Sequence, residues 1–504
     1  MFSFAKVKEL ARKGNVIPLF IRVPADLDTP VSTFLRLAYK KRYAFLLESI
    51  EGGEKLARYS FVAFDPFMRI EVAPPDASSS ETSKSRHREV TIITGRKKER
   101  FTATPLEVIN KIVKRFRPVR VEGIPRFSGG AVGFFGYDTA GWVDKYVDLN
   151  PDDIAMPDCS LGLYQSVVVF DHLKQEIILI SNILVDEPEA TTNASLKGKY
   201  VAAVKWIETT QRRLLTSDAR KLGKVTRNTG RKSKLVSLTS RKDFERIVRR
   251  AKKYIKEGDI FQVVLSRRWK TRTTLPAVEI YRRLRRINPS PYMFLLQFGD
   301  SAVIGSSPEM LARIEKRRIV THPIAGTRPR GADEAQDKRL EQSLLRDKKE
   351  LAEHTMLLDL GRNDIGRVAK PGTVKVIRQM EIERYSHVMH LVSAVEGELP
   401  RRVSSLEGMY SCFPAGTVSG APKIRAMEII AELEQLRRGV YAGSIAYLDF
   451  WGNLDSCIAI RTIVKQGENL YLQAGAGIVA DSVPAREYDE TAHKVEALFQ
   501  ALNS

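Results

Sequence analysis

The chain is poor in cysteine. Its 504 residues hold three, Cys159, Cys412 and Cys457. None stands in CxxC spacing, so zinc-ribbon and thioredoxin chemistry have no support. So sparse and odd a set reads as reduced thiols in a cytoplasmic protein. Long apolar runs are also missing. None reaches the roughly 18 residues that a membrane span needs, so no membrane association is expected. The opening MFSFAKVKELARKGN has no apolar stretch followed by a small-residue cleavage site, so a secretory signal is not expected. Acidic charge is in the minority, with 60 Asp and Glu against 82 Lys and Arg, a formal net charge of +22. The excess is concentrated: Arg220 to Lys256 holds fifteen Lys and Arg against Asp243 and Glu245. No zinc-finger, helix-turn-helix or aromatic-interleaved strand pattern accompanies it, so a nucleic-acid role is not expected. An anionic small substrate explains the charge more simply.

What is present is a chain with 43% hydrophobic residues, enough for a sizeable core. Two stretches break the pattern. Residues 72–100 read as an exposed hairpin or loop, and residues 216–240 as a basic linker rich in Gly, Ser, Thr and Lys. The division is therefore a β-rich N-terminal region, 1–215, the linker, and a more regular region, 241–504. Short β-rich runs dominate between Phe45 and Leu184. After Ser240, an N-cap with Asp243 three residues on, strands and helices alternate. One long helix is expected over about 333–360, and strands around 373–378 and 381–387. Many strands meeting in tight turns predict an α+β fold with a largely antiparallel sheet.

Two helical segments carry Glu-x-x-Glu, namely Glu350 with Glu353 and Glu487 with Glu490. A spacing of three residues puts each pair on one helical face. If the pairs met, they would form an all-oxygen site suited to Mg²⁺. Each pair alone reads more readily as a solvated face, with Glu490–Lys494 or Glu350–His354 as ordinary i,i+4 partners. His390, in an apolar run, reads as a hydrogen-bonded core residue or a catalyst. The loop HPIAGTRPRG (322–331) has the glycines and arginines of an anion cradle. FPAGTVSGAPK (413–423) lacks the Walker order, so it is not a P-loop. Gly475 to Gly477 offer backbone N–H groups to an anion.

Taken together, these segments resemble the chorismate-utilising enzymes, and among them the large subunits of anthranilate synthases. The matching stretches are DIFQVVLSRR (259–268), INPSPYMF (287–294), GSSPE (305–309), PIAGTRPRG (323–331), ELAEHTMLLDLGRND (350–364), YSHVMHLVS (385–393), FPAGTVSGAPK (413–423), GSIAYLDFWG (443–452) and AGAGIVADSVPAREYDET (474–491), with LLES (46–49) near the N-terminus. The resemblance implies a large antiparallel β-sandwich flanked by helices. It implies Mg²⁺ held by Glu353 and Glu490, with Glu350 and Glu487 beside them. Gly475, Ala476 and Gly477 would meet the ring carboxylate of chorismate, Tyr441 and Arg461 the enolpyruvyl carboxylate, and Gly326 and Thr327 the substrate floor, with Lys494 also among the substrate-binding residues. Glu309 is implied as general acid for loss of the C4 hydroxyl, its pKa raised by burial and neighbouring carboxylates. His390 and Thr417 are implied in the later loss of pyruvate.

Within this family two positions discriminate. Gln262 stands where isochorismate synthases resemble one another in a water-activating lysine, and a neutral amide is no base. Ala325 stands where aminodeoxychorismate synthases carry a nucleophilic lysine. Direct attack by ammonia at C2 is left, giving anthranilate, or 2-amino-2-deoxyisochorismate if pyruvate is retained. Thr417 instead of serine leans to the former, the first committed step of tryptophan biosynthesis. None of the cysteines lies in a glutaminase setting, so a separate glutamine amidotransferase subunit is expected, in a heterotetramer of two large and two small subunits. Glu48 and Ser49, with Pro289, Tyr292 and Met293, resemble the two segments of a tryptophan inhibitor pocket. Arg328 and Arg330 have no assigned role.

Overall fold

Along the strand Tyr292–Phe298, successive side chains point to opposite faces. Met293 and Leu295 enter one apolar core, and Phe294 and Leu296 another. The adjacent strand Tyr43–Glu48 divides the same way, with Ala44 and Leu46 on one side and Phe45 on the other. Strands apolar on both faces need cover on both, and the fold provides it. The computed structural model describes residues 1–49, 58–75, 86–144, 150–185, 192–216, 234–384 and 388–503. Its strands form two twelve-stranded sheets, paired antiparallel. Phe45, Phe61 and Phe294 of the first sheet meet Val132, Phe134 and Tyr447 of the second in a shared core. The outer face of the first sheet is covered by the helices Asn193–Thr216, Ala277–Ile287 and Pro484–Asn503, through Ile207, Tyr281 and Leu498. The outer face of the second packs on Leu358 of the helix Lys348–Gly366 and Met409 of Ser405–Ser411. The architecture is the helix-flanked α+β sandwich that the sequence predicts.

The sheets take strands from both sides of the 216–240 segment. Tyr43–Glu48 pairs with Tyr292–Phe298, and Gly130–Phe135 with Ser444–Asp449. Most of the basic segment, 217–233, lies outside the described residues, as do 76–85 of the stretch 72–100. Arg88–Thr94 and Lys97–Ala103 do form the hairpin expected within that stretch. At the end of the basic segment, Val236–Ser237 is a short strand on Lys270 and Trp269.

Three local expectations change. The helix expected over 333–360 is two, Glu334–Arg346 and Lys348–Gly366, broken at Asp347. Asp347 has an extended backbone and its side chain accepts from the amides of Lys349 and Glu350, so it ends one helix and starts the next. The two strands expected around 373–387 are one bulged strand, Lys375–Arg384, whose register on Val388–Glu398 slips twice. The 24-residue helix Asn193–Thr216 is an addition; its buried Leu196, Ala203, Ile207, Thr210 and Leu214 recur at helical spacing.

Close approach of strands in the second sheet sets a testable limit. A Cβ on Gly133, in Gly130–Phe135, would lie 1.9 Å from the Ser160 carbonyl oxygen of the neighbouring strand. Gly133→Ala is expected to destabilise the chain by about 2–3 kcal/mol, read as a lower denaturation midpoint. An unchanged midpoint would contradict this packing.

Candidate active site

The expected site residues gather where the chain passes from one sheet to the other. Ser301–Ser307 belongs to the first sheet and Met310–Glu315 to the second, and Glu309 stands in the connection between them. Leu454–Ile458 and Thr462–Gln466 make the reverse passage, through Arg461. The two connections bind each other. The Ser306 amide donates to the Arg461 carbonyl at 3.1 Å, and the Ile458 amide donates to the Glu309 carbonyl at 3.0 Å.

Glu309 as a residue is only partly buried, but its carboxyl is enclosed, and desolvation lifts its pKa to about 7. The Thr417 hydroxyl donates to its Oε1 at 2.9 Å and acts in the opposite direction. Burial is thus the cause of the rise; the neighbouring carboxylates expected from the sequence do not contribute. Thr417 is carried by the single 3-10 turn Gly416–Val418, just ahead of the helix Lys423–Leu433.

The strand Gln262–Arg272 pairs with Asn469–Ile478, setting Val264, Leu265 and Ser266 opposite Gly477, Ala476 and Gly475. Thr462–Gln466 covers the far edge of Asn469–Ile478 only as far as Leu472. Beyond it, among the described residues, that edge has no strand partner. A Cβ on Gly475 would lie 2.9 Å from the Tyr441 hydroxyl, and one on Gly477 2.7 Å from Gln262 Nε2. Glycine here lets those side chains lie against the strand. Arg461, itself at φ 51°, donates to the Lys494 carbonyl. Lys494 Nζ reaches Glu490 at 2.6 Å and the Gly475 carbonyl at 3.0 Å. Among the described residues no carboxylate lies within ion-pair distance of Arg461, and burial pulls its pKa down. A cation enclosed without a counter-ion suits an anionic ligand.

The glutamates come from two helices. Asp347 fixes the start of Lys348–Gly366, and Arg328 ties Asp347 at 2.7 Å and Glu350 at 3.4 Å to the strand Ile324–Pro329. Gly326, at φ 70°, lies so close that a Cβ would sit 3.2 Å from Glu350 Oε2. Burial raises the Glu353 pKa, and the charges of Glu350 and Glu490 raise it further, while Lys349 and a hydrogen bond with Gln262 oppose them. Burial likewise raises Glu487, and Glu490 adds to it. The carboxylates of the two helices therefore act on one another. As the side chains stand, no three acidic, His or Cys groups among the described residues are close enough to hold an ion. Their chemistry nonetheless fits a hard divalent cation, with oxygen donors only and a mutual repulsion that such a charge would relieve.

His390, in Val388–Glu398, faces Thr327 across the strand pair, with Nδ1 3.0 Å from the Thr327 hydroxyl and 3.4 Å from the Gly326 carbonyl. Burial lowers its pKa, favouring the neutral ring. Ala325 is buried opposite Leu391. The i,i+4 alternatives divide: Glu490–Lys494 exists, whereas His354 Nε2 is bonded to Ser393 instead of Glu350. Arg330 forks onto Asp337 of the helix Glu334–Arg346, so both loop arginines hold helices.

Glu48, Ser49, Tyr292 and Met293 line one cavity between the sheets, together with Arg313 and Asp455. Pro291 lines it; Pro289 does not. Inside, the Tyr292 hydroxyl donates to Asp455 at 3.2 Å and Arg313 Nε donates to Asp455 at 3.0 Å. Glu48 accepts from Tyr281 and from Arg285 at 3.0 Å. Sequence reasoning missed Arg313 and Asp455, whose alternating strand positions gave no functional signal, and it missed the buried Arg438, which a Gly-flanked basic pair suggests is exposed.

The sequence pattern of the chorismate binding enzymes matches residues 69–500. Anthranilate synthase component 1 of Acetivibrio thermocellus is 47% identical over 99% of this chain and 97% of its own length. That of Aquifex aeolicus is 46% identical with the same shares covered. The crystal structure of anthranilate synthase component I from Streptococcus pneumoniae aligns with a TM-score of 0.75 at 33% identity, covering 95% of this chain and 99% of that one. The menaquinone-specific isochorismate synthase of Escherichia coli, with a TM-score of 0.69 and 19% identity, covers 99% of this chain and 98% of its own and shares the fold.

The burial of Glu309 has a consequence for stability. Its carboxyl titrates near 4.5 when unfolded and about 7 when folded. Between those values the unfolded chain binds fewer protons, so folding stability falls as pH rises. Glu309→Gln removes that penalty while keeping an acceptor for Thr417. At pH 8 the variant should be more stable by on the order of 1–3 kcal/mol, and at pH 4 the difference should vanish. Denaturant midpoints at the two pH values measure this; a variant weaker at pH 8 would show the carboxyl is not enclosed.

Proposed function

The chain belongs to the chorismate binding enzyme family, and on that premise we infer that it works as component 1 of an anthranilate synthase, taking chorismate and ammonia to anthranilate and pyruvate. The observation that carries this branch of the family's chemistry is the pair of uncharged residues lining the site. The neutral amide of Gln262 lies over Gly477 and bonds Glu353. Ala325 offers only a buried methyl. Neither can activate water or attack the ring, so ammonia, which needs no base, is the nucleophile.

The roles follow from position. Arg461 and Tyr441 take one carboxylate of the substrate, with Arg461 as a fork lacking a protein counter-ion. The open edge at Gly475, Ala476 and Gly477, with Lys494, takes the ring carboxylate, and Gly326 and Thr327 form the floor. Glu353 and Glu490, with Glu350 and Glu487, would hold Mg²⁺, which supplies charge withdrawal at the ring carboxylate. Ammonia adds at C2 while Glu309 gives its proton to the departing C4 hydroxyl, so that group leaves as water. In the second step the C2 proton is removed and the enolpyruvyl C–O bond breaks with protonation of the fragment to pyruvate. Neutral His390, with Thr327 on its Nδ1, would carry that proton. This makes the protein a carbon–oxygen lyase.

Ammonia comes from a glutamine amidotransferase partner, in a two-plus-two assembly, and the site of action is the cytoplasm. Among the described residues no helix is long and apolar enough to cross a membrane. Tryptophan feedback is part of the same reading. Ser49 would meet the amino acid's polar end and Tyr292 its indole; the Glu48 carboxylate, expected there, is bound by Tyr281 and Arg285, and the Met293 side chain packs in the outer core. Cys457 of the cavity wall directly precedes Ile458, whose amide holds the Glu309 backbone, which is a short route for inhibition to reach the acid.

With chorismate, ammonium and Mg²⁺, the purified chain should release fluorescent anthranilate and pyruvate in equal amounts, stop on chelation, and lose kcat above about pH 7 as Glu309 ionises. An aminated product without pyruvate would instead identify a 2-amino-2-deoxyisochorismate synthase. Ser49→Phe should fill the inter-sheet cavity, raising the tryptophan concentration for half-inhibition about tenfold or more while kcat persists. Unchanged inhibition would remove tryptophan from this cavity.

A further inference from the structure

Arg438 is 1% exposed and carries its charge in the interior. It is paired with Glu434, 8% exposed, at 2.6 Å through Nη2 and 2.9 Å through Nε. A buried ion pair is weak evidence for stability, since desolvation offsets much of the attraction. What the pair touches is more informative. Arg438 Nη1 donates to the Val418 carbonyl at 2.6 Å, and Nη2 to the Val264 carbonyl at 2.7 Å. Glu434 Oε1 also accepts from the Ser266 amide at 2.7 Å and the Ser266 hydroxyl at 2.9 Å. The guanidinium lies 4.6 Å from the Tyr137 ring centroid and 5.6 Å from that of Tyr441.

Apart from the Tyr137 ring, those contacts fall on or one step from residues of the proposed site. Val418 follows Thr417, the donor to Glu309. Val264 and Ser266 are the register partners of Gly477 and Gly475. The Val264 amide donates to the Ser419 carbonyl at 2.9 Å, so the Thr417 turn is tied to that strand directly and again through Arg438. Tyr441 is the expected carboxylate contact. The planar fork of an arginine can span two carbonyls, a carboxylate and two ring faces at once; a lysine cannot.

Resting on the function proposed above, we propose that Arg438, held by Glu434, is a positioning residue for the reaction: it fixes the Thr417 turn against the Gln262–Arg272 strand and so keeps the Thr417 hydroxyl on the Glu309 carboxyl. It touches no substrate. Its effect is on the acid, because the Thr417 bond is the one contact that lowers the Glu309 pKa against burial. Loosening the turn should therefore both slow proton delivery and move the acid's titration upward.

The test compares Arg438→Lys and Glu434→Gln with the parent protein, full length, using ammonium as nitrogen donor and saturating Mg²⁺. The kcat–pH profile, KM for chorismate and the denaturation midpoint are measured together. For Arg438→Lys, kcat is expected to fall about ten- to a hundredfold. The alkaline limb should move up by about half a pH unit or more, with KM changing less than kcat. Glu434→Gln, which leaves the fork but not its charge partner, should shift the limb the same way by less. A fall in kcat with the limb unmoved would show a merely structural role and overturn the proposal, as would parental kcat and profile in a folded Arg438→Lys. If Arg438→Lys fails to fold, the limb of Glu434→Gln decides alone. A parent protein that forms no anthranilate would overturn the functional reading itself, which the parent arm shows separately.

Discussion

Two passages of the chain between sheets, closed on each other by backbone hydrogen bonds, are the constraint on which the site depends. A strand that leaves one sheet for the other must turn through a segment with no ladder of its own. Here the Glu309 and Arg461 connections supply each other's missing partners, through the Ser306–Arg461 and Ile458–Glu309 bonds. The Glu309 carboxyl and the Arg461 guanidinium are thereby held by backbone where the chain passes between the sheets. Their separation is set by the sheets and not by a loop. The fold's need to satisfy its backbone and the site's need for preorganised charge are met by the same atoms.

Charge is distributed unevenly around that point. The two glutamate-bearing helices bring like charges together: burial is the main cause of the raised Glu353 and Glu487 pKa values, and the charge of Glu490 adds to both. Among the described residues Arg461 has no carboxylate within ion-pair distance. A cation beside the glutamates and an anion at Arg461, as proposed above, would offset both. Arg328 and Arg330 look like anion binders in the sequence, yet they are spent on Asp347, Glu350 and Asp337. Arg328 orients the helix that carries Glu350 and Glu353, and Arg330 holds the helix before it.

Much of this was legible in the chain. Period-two strands and turn residues pointed to an antiparallel sheet, and the two Glu-x-x-Glu segments pointed to helical faces. Ordered motifs tied them to one family across the length of the C-terminal region. What was illegible depends on contacts distant in sequence. The break at Asp347 arises because one side chain satisfies the amides of Lys349 and Glu350, and a helical period running through 333–360 conceals it. The raised pKa of Glu309 comes from enclosure by distant segments and not from the carboxylates that its function suggested. Arg438 is the extreme case: its partners at Val264 and Val418 lie 174 and 20 residues away, and nothing local marks it as buried.

The inter-sheet cavity is a second candidate site in the same architecture. A sandwich filled by interlocking aromatic side chains resists voids, so a cavity lined by Tyr292, Met293 and Ser49 requires polar support within it. Asp455 accepts from both Tyr292 and Arg313, and Arg313 and Tyr447 also line the space. Asp455 and Cys457 lie on the strand Leu454–Ile458, whose last residue donates its amide to the Glu309 carbonyl. Filling the cavity would press on this strand from within the core, where packed elements respond by shifting as units. The acid at the strand's end is held by two contacts, that amide and the Thr417 hydroxyl. On the proposed reading, a displacement too small to disturb the fold would be enough to change one of them, and a ligand buried between the sheets would then act on proton transfer without entering the active site.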